Sequence, residues 1–158
     1  MSAVLKTGVR YCAMREDDLA EVMAIERKIY EFPWTQGNFL DSLRAGYDGC
    51  LCRGEHELLG YAVLMNVVVD EDVAEVHLLN LSIAESHQGL GHGRRLLLYL
   101  IDKARLAKAE KILLEVRPSN SGAIKLYASF GFKQVGVRRD YYPAARSRED
   151  ALVMGLVL

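Results

Sequence analysis

The sequence predicts a mixed α/β domain, and three features carry that expectation. The chain opens with a strand followed by helices, continues with consecutive strand-like runs joined by short polar turns, and closes with helices alternating with strands. The order reads βααβββαβαββ. Among the 158 residues there are no internal repeats, low-complexity tracts or credible linkers, so a single domain over residues 1–158 is expected. A chain of this length buries roughly 70% of the surface its unfolded form exposes, enough to hold together without disulfides or a structural metal.

Each element has a local cause. Residues 8–14 read as a short strand, and Arg15-Glu16-Asp17-Asp18 places acidic groups at the positive end of a helix with Leu19, Val22, Ile25 and Ile29 on its apolar face. Phe32-Pro33-Trp34 interrupts that pattern. Thr35 then caps a second helix carrying Phe39, Leu40 and Leu43 toward Gly46. Residues 49–53 and 58–68 are strand-like, with Gly54-Glu55-His56-Glu57 as the hairpin turn. Asp70-Glu71-Asp72 turns into a third run, Val73 to Ile83, whose alternation breaks near Leu78-Leu79-Asn80; a bulge is one explanation. Residues 91–109 space Leu97, Leu100, Ile101, Ala104 and Ala107 along one helical face, and Lys111 to Val116 is a short buried strand. Asn120 caps a helix ending near Ser129, Gly131 stops it, and residues 133–142 and 150–158 form two last strands joined by a polar loop.

Composition narrows the function classes. With 51% hydrophobic and 26% charged residues the chain reads as an ordinary globular protein. No stretch approaches the ~18 consecutive apolar residues of a membrane helix, and the first residues lack a signal core, so a membrane or exported protein is not expected. Cys12, Cys50 and Cys52 form an odd set without C-x-x-C spacing, which favours free thiols in a cytoplasmic protein. His56, His77, His87 and His92 lack the spacing of a zinc site, so no metal is expected. The net charge of −1 argues against general nucleic-acid binding, yet it hides an asymmetry. Residues 1–93 carry 7 basic and 15 acidic groups, and residues 94–148 carry 13 basic and 4 acidic groups. That separation suits a polyanionic ligand for the second stretch and a cationic partner for the first; scattered solvated charge is the plain alternative.

The most informative local feature is Gln88-Gly89-Leu90-Gly91-His92-Gly93-Arg94-Arg95, set between a strand and a long helix. Glycines allow a tight turn and close backbone approach, while a helix start presents unpaired N–H groups and partial positive charge, a combination that fits a pyrophosphate. A Walker loop needs Lys followed by Ser or Thr, and Arg94-Arg95 supplies neither. A dinucleotide fingerprint lacks its third glycine from either possible start, although Glu115 at the end of the next strand has its acidic residue.

The remaining pattern, Q-x-x-G-x-G, is met by Gln88, Gly91 and Gly93, and it resembles the acetyl-CoA motif of the GNAT superfamily of N-acetyltransferases. The likeness extends over nearly the whole chain. Phe32-Pro33-Trp34, Leu114-Glu115-Val116-Arg117, Ser119-Asn120, Ala123-Ile124-x-Leu126-Tyr127, Gly131-Phe132, Arg138-Arg139-x-Tyr141-Tyr142-Pro143 and Arg148-Glu149-Asp150-Ala151 together look like the ribosomal-protein-alanine type within that superfamily, the RimI type. Pro118 departs from the family by standing where a small residue such as alanine is possible, which is expected to stiffen the strand exit without changing the chemistry.

The resemblance implies the GNAT fold, a mostly antiparallel mixed sheet splayed in its middle and flanked by helices. It also implies acetyl transfer from acetyl-CoA to a protein N-terminal amine, with the N-terminal alanine of a small-subunit ribosomal protein as the expected acceptor. By residue-to-residue carry-over, the backbone of Leu81, Ser82 and Ile83 pairs with pantetheine. Gln88 belongs to the carrier-binding motif, the backbone of Gly89, Leu90, Gly91, His92, Gly93 and Arg94 holds the pyrophosphate, and Asn120 contacts the coenzyme. Glu115 is the proton acceptor and Tyr127 the acid that protonates the leaving thiolate. Trp34, Tyr141 and Tyr142 border the acceptor groove; for Trp34, a cap on the core is an equal reading. Two other readings stay open: a GNAT enzyme for another protein or a small amine, and a CoA- or nucleotide-binding module without turnover.

Overall fold

Two side-chain caps show how local sequence starts the helices. Thr35 Oγ1 accepts the Asn38 N–H at 3.0 Å while Asn38 Oδ1 accepts the Thr35 N–H at 2.9 Å, a reciprocal box opening one helix. Asn120 Oδ1 accepts the Ala123 N–H at 3.2 Å and opens another. The computed structural model describes residues 8–146 and 148–158; the opening residues read as lacking an export signal lie, up to residue 7, outside them.

The described residues form β1 (Arg10–Ala13), α1 (Leu19–Ile29), α2 (Gln36–Arg44), β2 (Asp48–Arg53), β3 (Leu58–Val69), β4 (Asp72–Ile83), α3 (His92–Leu106), β5 (Lys111–Val116), α4 (Ser121–Ser129), β6 (Lys133–Pro143) and β7 (Arg148–Val157). Single 3-10 turns precede α1 and follow β4. This is the expected order. The seven strands make one mixed sheet ordered β1-β2-β3-β4-β5-β7-β6. Antiparallel pairing joins β1 to β2, β2 to β3, β5 to β7 and β6 to β7, whereas β4 pairs with β5 in parallel from Glu75↔Lys111 to Leu78↔Leu114.

The chain divides into two compact units. The first comprises residues up to Met65 and Asn80–Tyr99. Its core is Met14, Leu19, Val22, Met23, Phe39, Leu51, Leu58, Tyr61 and Val63, with Trp34 and Leu43 packed against it. The second comprises Asn66–Leu79 and Leu100–Leu158, and it buries Leu100, Ile112, Leu114, Phe132, Ala151 and Met154.

Two local expectations are revised. The helix expected over 91–109 ends at Leu106, because Lys108 adopts a left-handed φ of 59° and the Ala109 N–H closes on the Ala104 carbonyl at 3.1 Å. A lysine in a position that glycine usually takes leaves no stop signal in the sequence. The break read near Leu78-Leu79-Asn80 is not a change of facing: Val76, Leu78, Asn80 and Ser82 are all buried at strict two-residue spacing. The pattern looked broken because Asn80 and Ser82 are polar residues turned inward.

Candidate active site

In the first unit the end of β4 runs directly into the glycine turn. Gln88 Nε2 donates to the Ile83 carbonyl at 3.0 Å, so this side chain braces the strand end against the turn that follows. Gly89 and Gly91 take φ of 77° and 85°, conformations that side-chain-bearing residues rarely adopt, and a Cβ at Gly89 would meet nothing within 4 Å. The Arg95 N–H returns to the Gly91 carbonyl at 3.1 Å, so the amides of His92 and Gly93 lie ahead of this bond, in the first turn where a helix has no carbonyl of its own to offer. Arg95 folds back over the turn, donating to the Leu90 carbonyl at 3.0 Å and to His92 Nδ1 at 3.2 Å. Burial, then the Arg95 and His87 charges, hold His92 below its ordinary pKa, consistent with a neutral ring that accepts from Arg95. Leu90 is exposed at the tip. An open glycine turn at the positive end of a fifteen-residue helix fits a phosphate-bearing carrier.

Leu81, Ser82 and Ile83 lie together at the end of β4. The opposing strand comes unusually close, since a Cβ on Gly60 would fall 2.5 Å from the Ser82 carbonyl oxygen. Trp34 is half-buried, with its ring centroid 5.0 Å from that of Phe39, so the core-cap reading is met and one part of the indole remains at the surface.

In the second unit Glu115 sits on β5 opposite Val153 of β7. Arg138 Nε donates to Glu115 Oε1 at 3.0 Å, and the Tyr141 hydroxyl hydrogen-bonds to the same carboxylate. The fold therefore brings Glu115, Arg138, Tyr141 and Tyr142 together. Tyr141 and Tyr142 meet edge to face at 4.8 Å, with Arg117 over the Tyr142 ring at 4.3 Å. Both phenols are pushed above their ordinary pKa, first by burial, then by the Glu115 charge. Tyr127 lies on α4, buried except for 8% of its surface, its ring 5.6 Å from Phe132. Asn120 has its side-chain oxygen engaged in capping α4.

The tyrosine pair is held by residues whose roles the sequence did not disclose. Arg148 donates to the Asp140 and Tyr141 carbonyls at 2.6 and 2.8 Å, and Asp150 Oδ1 accepts the Asp140 N–H at 2.9 Å. Glu149 accepts from Arg117 Nη1 at 3.2 Å and from the Ser119 N–H at 3.0 Å, while Arg117 also donates to the Pro143 carbonyl at 2.9 Å. The string Arg148-Glu149-Asp150 was visible as a motif. What it holds became visible only through contacts across the β6–β7 hairpin and the exit of β5.

Comparison with known proteins places the chain. The family model described as acetyltransferase (GNAT) family matches residues 19–132, well over half of the sequence. The chain belongs to the GNAT acetyltransferase family. Its acyl donor is accordingly acetyl-CoA. This GNAT acetyltransferase is 35% identical over 139 residues to the [ribosomal protein bS18]-alanine N-acetyltransferase of Salmonella typhimurium, covering 88% of the chain and 90% of the relative. The crystal structure of the ribosomal-protein-S18-alanine N-acetyltransferase from Escherichia coli superposes with a TM-score of 0.85 at 33% identity, covering 94% and 93% of the two chains. Arabidopsis thaliana Naa50 in complex with the bisubstrate analogue CoA-Ac-MVNAL shares the fold, with a TM-score of 0.83 at 20% identity over 96% and 99%. Among the described residues of this GNAT acetyltransferase, no His, Cys, Asp and Glu side chains cluster as a metal site, and no helix is long and apolar enough to cross a membrane.

Proposed function

We propose that this enzyme acetylates the N-terminal α-amine of a protein, with the N-terminal alanine of a small-subunit ribosomal protein as acceptor. It works as a single domain over residues 1–158, in the cytoplasm, without binding nucleic acid or membrane. The observation that carries this reading is similarity along nine-tenths of the chain to enzymes named for that acceptor, in a protein whose Glu115 carboxylate is engaged by Tyr141 and Arg138.

The roles follow from what amide formation requires. The amine nitrogen bonds to the thioester carbon, the C–S bond breaks, the amine releases a proton and the departing thiolate takes one up. Glu115 accepts the first proton directly or through water, and Tyr127 supplies the second. A phenol placed beside the departing sulfur can donate its proton as the thiolate forms. The backbone of Leu81, Ser82 and Ile83 binds the pantetheine amides, and a strand-end amide near Ile83 meets the developing oxyanion. Gln88, Gly89, Leu90, Gly91, His92, Gly93 and Arg94 form the phosphate turn, and Asn120 contacts the coenzyme. Trp34, Tyr141 and Tyr142 border the acceptor. An α-amine of pKa ~7.7–8.0 is neutral roughly two- to four-hundredfold more often at pH 7 than a lysine of ~10.4, so one carboxylate suffices as base.

Intact-mass analysis of alanine-initiated, N-terminally blocked and lysine-bearing peptides tests the acceptor: only peptides with a free α-amine are expected to gain an acetyl group. Glu115→Gln and Tyr127→Phe are each expected to lower kcat/KM by roughly 10²–10⁴-fold while calorimetric CoA binding persists. Unchanged turnover in both variants would overturn the assignments.

A further inference from the structure

The described residues bury three polar side chains, Glu26, Asn80 and Ser82, and all three belong to one hydrogen-bonded chain. Glu26, on α1 and 1% exposed, accepts from Asn80 Nδ2 at 2.8 Å and from the Tyr61 hydroxyl of β3 at 3.1 Å. The Trp34 backbone N–H also donates to it. Ser82 Oγ donates to Asn80 Oδ1 at 2.7 Å and lies 2.7 Å from the Tyr30 hydroxyl. That hydroxyl is also 3.4 Å from the Leu81 carbonyl, and Tyr30, 37% exposed, carries the chain to the surface.

The donor directions follow from the carboxylate. Ionised Glu26 only accepts, which turns the amide nitrogen of Asn80 toward it and the amide oxygen toward Ser82. Ser82 spends its single proton on that oxygen, so Tyr30 donates to Ser82. One carboxylate thus orients every member out to the surface tyrosine. It also fixes the segment after α1 at two points, Tyr30 through Ser82 and Trp34 through its amide. Apolar side chains of similar volume would fill this core without the cost of desolvating a carboxylate, so packing alone does not explain a fully bonded polar chain here.

We propose that Glu26 is a positioning residue for acetyl transfer: through Asn80 and Ser82 it locks the Tyr30–Trp34 segment onto the end of β4, so the acceptor wall and the carrier-binding strand keep one mutual placement. This rests on the reading that Leu81–Ile83 bind the carrier and that Trp34 borders the acceptor. Loss of the lock raises KM for both substrates and leaves proton transfer alone.

The test is a double-mutant cycle with Glu26→Gln and Tyr30→Phe in the full chain, using acetyl-CoA and an alanine-initiated peptide, alongside CoA calorimetry and thermal melts. Each single variant is expected to raise both KM values roughly threefold to tenfold, as losing one hydrogen bond would, with kcat changed by less than about twofold. The double variant is expected to match the worse single one, because both cut the same chain. Both KM values unchanged in Tyr30→Phe, effects that multiply in the double variant, or a lower melting temperature with neither KM moved would overturn the proposal. If Glu26→Gln does not fold, Asn80→Ala, which cuts the same chain between Glu26 and Ser82, replaces it in the cycle with the same expectations. Wild-type protein that neither binds CoA nor acetylates any α-amine would overturn the functional reading itself, whereas an active wild type with unmoved KM values would sink only the positioning role.

Discussion

Two carboxylates show how environment sets opposite pH dependences within one chain. Glu149 is held below its ordinary pKa, first by its hydrogen bonds with Ser119, then by the Arg117 guanidinium. Its contribution to stability is present above the unfolded carboxylate pKa and is lost as pH falls through the lower folded value. Glu26 is held above its ordinary pKa by burial, against the opposing effect of its Asn80, Tyr61 and Trp34 donors. Its contribution is full below the unfolded pKa and is lost as pH rises through the folded value. Melting temperatures across acid to neutral pH are therefore expected to separate two variants. The stability gap between wild type and Glu149→Gln should close as pH falls below the carboxylate range. The gap between wild type and Glu26→Gln should narrow as pH rises out of it. Parallel curves for both variants would contradict these environments.

At the scale of elements, the end of β4 depends on a strand that approaches without a side chain. A Cβ at Gly60 would also fall 2.6 Å from Ile83 Cδ1, so Gly60→Ala must push the Ser82–Ile83 backbone away. Overpacking of this kind typically costs about 1–3 kcal/mol, and KM for acetyl-CoA is expected to rise more than KM for the peptide. The β6–β7 hairpin makes the converse case: Arg148→Ala frees the Asp140 and Tyr141 carbonyls and is expected to raise peptide KM while leaving CoA binding by calorimetry unchanged. Element order, both side-chain caps and the glycine turn were legible in the sequence, because each is fixed by residues within a few positions of one another. Tyr141, Tyr142 and Glu115 could be singled out, but their grouping with Arg138 needed the β6–β7 and β5–β7 registers. The inward facing of Asn80 and Ser82 was illegible for the same reason. Their partners Glu26 and Tyr30 lie more than fifty residues away, and nothing local marks a polar residue as facing a core.

At the scale of the whole molecule, the separation of charge along the sequence asks whether long-range electrostatics recruits the substrates. Residues 1–93 hold 15 acidic against 7 basic groups, and the formal total of −1 conceals it. Some of that acidity is already satisfied: Asp18 and Glu21 both bind Arg53, and Glu16 binds Arg44. An exposed pair such as Glu16–Arg44 contributes little by itself, and carboxylates already paired with arginine add little to long-range attraction, so recruitment has to come from the summed field. Such a field is screened over about 10 Å at 0.1 M salt and about 3 Å at 1 M. If the field draws in a basic N-terminus, KM for an alanine-initiated peptide rich in Arg and Lys rises with added salt, while KM for a neutral peptide of the same length stays flat. KM for acetyl-CoA, a polyanion, is expected to rise as well. Its rise is a built-in control, because Arg94 and the helix start act at contact distance and are screened less than charges acting through solvent. A steeper salt slope for the basic peptide than for acetyl-CoA is thus the expected signature of steering. Identical slopes for basic and neutral peptides would mean that the acidic groups serve only to keep the surface hydrated.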